Sequence, residues 1–62
     1  MLPREPAVLL SVVNTRLRDC YADLEELCAA EGAERAALVK TLGELGYRYH
    51  APSRQFISKE AF

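Results

Sequence analysis

Leu24-Glu-Glu-Leu-Cys-Ala-Ala-Glu-Gly-Ala-Glu-Arg-Ala-Ala-Leu-Val-Lys-Thr-Leu-Gly-Glu-Leu-Gly-Tyr-Arg-Tyr-His50 decides the fold. Leu24, Leu27 and Cys28 recur at helical spacing, and Gly32 stops that pattern at a position suited to a left-handed cap. Asp23 just ahead and Glu26 three residues on make a box-like N-terminus, with Glu25 and Glu26 at the positive end of the helix dipole. The reading is a helix over 23–31. After a short turn the period of 3.6 resumes at Leu38, Leu42 and Leu45, giving a helix over 34–45 that Gly46 ends. Its outward positions are Ala36, Ala37, Lys40, Gly43 and Glu44. At Tyr47 the period changes to two: Tyr47-Arg48-Tyr49-His50 alternates aromatic with polar, as a strand with one inward face does.

Working outward, Ala51-Pro52-Ser53-Arg54 has turn chemistry and Gln55-Phe56-Ile57-Ser58 returns as a second strand, so 47–58 reads as a hairpin. An isolated hairpin is barely stable, so Tyr47, Tyr49 or Phe56 must pack onto the helices. Residues 59–62 have no anchor except Phe62 and are expected to fray. On the N-terminal side, residues 1–5 are an extended lead-in, and Pro6 opens a first helix over 6–19. Leu9, Val13 and Leu17 form its stripe, widened by Leu10 and Cys20. Val8 and Val12 lie on the opposite flank, which makes them the candidate self-association surface. Asn14 borders the apolar face, and the expectation is a tie to the start of the second helix.

The fold class that results is mainly α: a three-helix, helix-turn-helix-like domain with a C-terminal β-hairpin, in winged-helix order, as one domain over 1–62. The expected core is Leu9, Leu10, Val13, Leu17, Leu24, Leu27, Cys28, Leu38, Leu42, Leu45 and an aromatic from the hairpin.

Composition bounds the function. A chain of 62 residues, 50% hydrophobic and 27% charged, folds but has little room for a deep pocket. Its net charge of −1 argues against a general polyanion binder. The charge is uneven: residues 1–20 are nearly balanced. Residues 21–34 are purely acidic (Asp23, Glu25, Glu26, Glu31, Glu34), and residues 35–62 lean basic (Arg35, Lys40, Arg48, Arg54, Lys59).

The helix-turn-helix order raises nucleic-acid binding, with Arg35, Lys40, Arg48, His50 and Arg54 as the candidate nucleic-acid or partner surface. Base reading favours Arg, Lys, Asn, Gln, Ser or Thr on the recognition helix, whereas here alanine, glycine and glutamate dilute two bases. Such a face suits a flat protein surface better. The reading is therefore a non-enzymatic protein-interaction module with an unidentified protein partner, or with a second copy in a homodimer. Nucleic acid is the alternative.

No nucleophile, base and orienter occur as a set, and no glycine-rich phosphate loop is present. Cys20, Cys28 and His50 fall short of four zinc ligands, so neither metal nor cofactor is implied. The apolar run from Ala7 to Val13 is too short to span a membrane, and free thiols in a cytoplasmic setting are expected.

Leu2-Pro3, Pro6, Leu9-Leu10-Ser11-Val12-Val13-Asn14 and Leu17-Arg18-Asp19 resemble the opening of the small bacterial family known as domain of unknown function 4250. Leu24, Leu27, Gly32, Leu42, Gly46-Tyr47, Tyr49 and Gln55-Phe56 are similar too, so the resemblance reaches nearly the whole chain up to Phe56. It departs at Arg54, where the family pattern has Asn, and at Glu34, where a capping Asp is usual. The resemblance implies a compact cytoplasmic bacterial protein and brings no catalytic residues with it.

Overall fold

The computed structural model describes residues 2–61. The chain forms α1 (Pro6–Asp19), α2 (Leu24–Glu31), α3 (Arg35–Glu44), β1 (Tyr47–His50), β2 (Gln55–Ser58) and a closing 3-10 turn (Lys59–Ala61). The mainly α architecture with a hairpin is the one the sequence predicts.

Two of the three helix starts carry a side-chain cap. Glu5 precedes α1 in extended conformation and its carboxylate accepts from the Ala7 N–H at 3.0 Å, beside Pro6 at the first helical position. Asp23 stands outside α2 as its cap, accepting from the Glu26 N–H at 2.8 Å. Glu34 makes no side-chain cap bond to α3. Its longer side chain is a poorer cap than an aspartate or serine would be. Gly32 at φ 67° and Gly46 at φ 86° turn the chain left-handed after α2 and α3, as expected of both stops.

β1 and β2 pair antiparallel, with Tyr47 opposite Ser58, Arg48 opposite Ile57, Tyr49 opposite Phe56 and His50 opposite Gln55. The Arg54 N–H closes the turn onto the Ala51 carbonyl at 3.1 Å. That turn holds Arg54 at φ 56°, the left-handed region where asparagine is far better tolerated than arginine. Arg54→Asn is expected to stabilise the fold by about 0.5–1 kcal/mol, read as a higher urea midpoint at unchanged slope. A lower midpoint would show that the arginine side chain offsets its own strain.

One core joins the three helices and β2: Leu9, Val13 and Leu17 from α1, Leu24, Leu27 and Cys28 from α2, Leu38 and Leu42 from α3, and Phe56 from β2. Leu2, Leu10, Tyr47 and Tyr49 pack against it while partly exposed. Leu45 does not join. It remains 40% exposed, because α3 ends at Glu44 and the chain is already turning toward Gly46. The leucine spacing runs one residue past the end of the helix, and Phe56 supplies the remaining core side chain. Nor does the segment after β2 lie loose over its described residues. The Lys59 N–H bonds the Gly46 carbonyl at 2.9 Å and its ammonium reaches the Gly43 carbonyl at 3.2 Å, placing a cation on the carbonyl end of α3. The expected anchor Phe62, like Met1, lies outside the described residues.

Candidate functional site

The hairpin is held to α1 by Asn14. Its Nδ2 donates to the Phe56 carbonyl at 3.0 Å, and its Oδ1 accepts from the Phe56 N–H at 2.7 Å. The Gln55 side-chain amide adds a donation to the Asn14 carbonyl at 3.0 Å. The geometry follows from sheet register. Lys59 and Gly46 are a bonded pair, and bonded and non-bonded pairs alternate along an antiparallel ladder, so the Phe56 backbone groups point away from β1. One side-chain amide thus serves Phe56 as a third strand would. This corrects the expected tie to the start of α2. The border position on α1 was legible, whereas the partner lies 42 residues away in sequence.

A second polar cluster closes the α1–α2 corner. The Glu31 carboxylate, with its side chain only 6% exposed, accepts from the Tyr21 hydroxyl at 2.8 Å and from the Arg16 guanidinium. A carboxylate at the last residue of α2 sits at the unfavourable end of that helix dipole, and these donors offset it. That unfavourable position at the helix end is the one faint trace of the pair in the sequence. The Tyr21 hydrogen bond, followed by the bond and charge of Arg16, holds the Glu31 carboxyl below its ordinary 4.5 against the effect of burial.

A carboxylate depressed in the folded state adds stability above its unfolded pKa, and that increment is lost as pH falls through the folded value. Acidification below about pH 4.5 is therefore expected to lower the urea midpoint. Glu31→Gln should flatten that part of the profile. An unchanged profile in the variant would assign the acid loss to other carboxylates.

The candidate surface residues fall into separate groups. Arg35 is turned back to α2, where its guanidinium pairs with Glu25 at 2.6 Å. Lys40 is exposed on α3 without an acidic partner among the described residues. Arg48 is exposed and His50 half-buried on the same face of β1. The His50 Nδ1 lies 2.8 Å from the Ser53 hydroxyl, which also donates to the His50 carbonyl at 3.3 Å. Arg54 is exposed in the turn beyond. The hairpin collects three of these five side chains, while α3 leaves Lys40 as its unpaired base.

On α1, Val8 is 47% exposed, whereas Val12 is half-buried. The two valines thus do not form an equally bare pair. Ala7, Ser11 and Thr15 are exposed on the same helix, and no charged residue occurs from Pro6 to Thr15.

Among the described residues no pocket opens, and no three His, Cys, Asp or Glu side chains converge as metal ligands. Cys20 and Cys28 are free, the first exposed and the second buried, where desolvation pushes its thiol pKa up. No helix over these residues is long and apolar enough to cross a membrane. A family model described as a domain of unknown function (DUF4250) matches residues 3–56. No curated protein and no solved structure matches the chain.

Proposed function

This chain belongs to the DUF4250 family, and we propose that it acts as a non-enzymatic protein-interaction module in the bacterial cytoplasm, docking through the outward face of α1. The observation that carries the reading is the ten-residue stretch Pro6–Thr15, exposed at Ala7, Val8, Ser11 and Thr15 and free of charge. Burying a valine contributes about 1.5–3 kcal/mol, and Val8 still has nearly half its surface to bury. Small uncharged neighbours let an apolar partner surface approach without desolvating ions. The partner is a second copy of the chain in a homodimer or a different protein.

Nucleic-acid binding is the competing reading. The pairing of Arg35 with Glu25 weakens it, because the outward face of α3 then presents Lys40 among alanines. The basic groups that support it are Arg48 and Arg54 on the hairpin.

Two measurements separate these readings. Val8→Glu is expected to leave stability within about 0.5 kcal/mol while abolishing association. Association is followed by sedimentation over a concentration series and by capture from the native cell. A monomer at every concentration, with nothing captured that Val8→Glu releases, would overturn the interaction reading. Duplex DNA at low salt is the other measurement. Binding that falls steeply with salt and disappears when Arg35, Lys40, Arg48 and Arg54 are all changed to Ala would replace it with a nucleic-acid function.

A further inference from the structure

We draw no further inference here: the strongest candidate, the exposed and uncharged face of α1 around Val8, belongs to the reading already proposed, and nothing in the structure shows what covers it.

Discussion

Phe56→Ala is expected to leave the chain largely unfolded at 25 °C. Phe56 is 1% exposed and is the only fully buried side chain that the hairpin contributes to the core, where its ring lies 5.5 Å from that of Tyr49 in a tilted arrangement. Truncating a buried phenylalanine typically costs about 3–5 kcal/mol. A core of this size rarely supplies more than about 3–5 kcal/mol in total, so one substitution removes nearly all of it. The damage is not confined to the cavity. A two-stranded hairpin has little stability of its own, and once Phe56 no longer fills the space between the helices, β1 and β2 lose their one fully buried side chain and lean on the Asn14 bonds and the half-buried tyrosines. Phe56→Leu keeps most of the apolar volume and should remain folded at a cost of about 1–2 kcal/mol. Circular dichroism with urea titration distinguishes the pair. If Phe56→Ala melts within a few degrees of the parent, the helices hold the core alone and the hairpin is an appendage.

The parts of this fold that were legible in the sequence are those with local causes. Gly32 and Gly46 announced the helix ends because a left-handed residue is needed there whatever the tertiary structure. Asp23 announced α2 because its carboxylate serves an N–H only three residues away. The alternation from Tyr47 to His50 was visible because a strand sorts its side chains by parity. What the sequence did not disclose depends on how the elements cross. Arg35 looked like a free base on an outward face, but the approach of α2 brings Glu25 to its guanidinium. Leu45 looked like core because the leucine spacing runs through it, and only the turn at the end of α3 takes it out. Lys59 had a faint signal. α3 carries no basic residue in its last turn, so its terminal carbonyls lack a local cation, and Lys59 supplies one from beyond the hairpin.

Asn14 is where this distinction gives the sharpest experiment. Asn14→Ala is expected to cost about 2–4 kcal/mol, more than its half-buried position would suggest. Two hydrogen bonds disappear, and the Phe56 N–H and carbonyl keep no strand to turn to, since both point away from β1. Amide exchange should show the site directly: the Phe56 amide loses protection ahead of the amides bonded across the hairpin.

Asn14→Asp separates donor from acceptor. An ionised carboxylate still accepts from the Phe56 N–H, but its second oxygen faces the Phe56 carbonyl where the asparagine placed a donor. The protonated acid restores that donor. The folded state therefore prefers the protonated form, and the carboxyl's folded pKa is raised above its unfolded value of about 3.9. Such a group adds stability that is fully present below the unfolded pKa and is lost as pH rises through the folded one.

This slope is opposite to the one expected from Glu31, so the variant is best made in the Glu31→Gln background. There, urea midpoints for Asn14→Asp should rise on acidification relative to those for Asn14→Ala, which keeps only the acid loss of the remaining depressed carboxylates such as Asp19. Equal pH profiles for the two would mean that the Asn14 amide is not what holds β2 against α1.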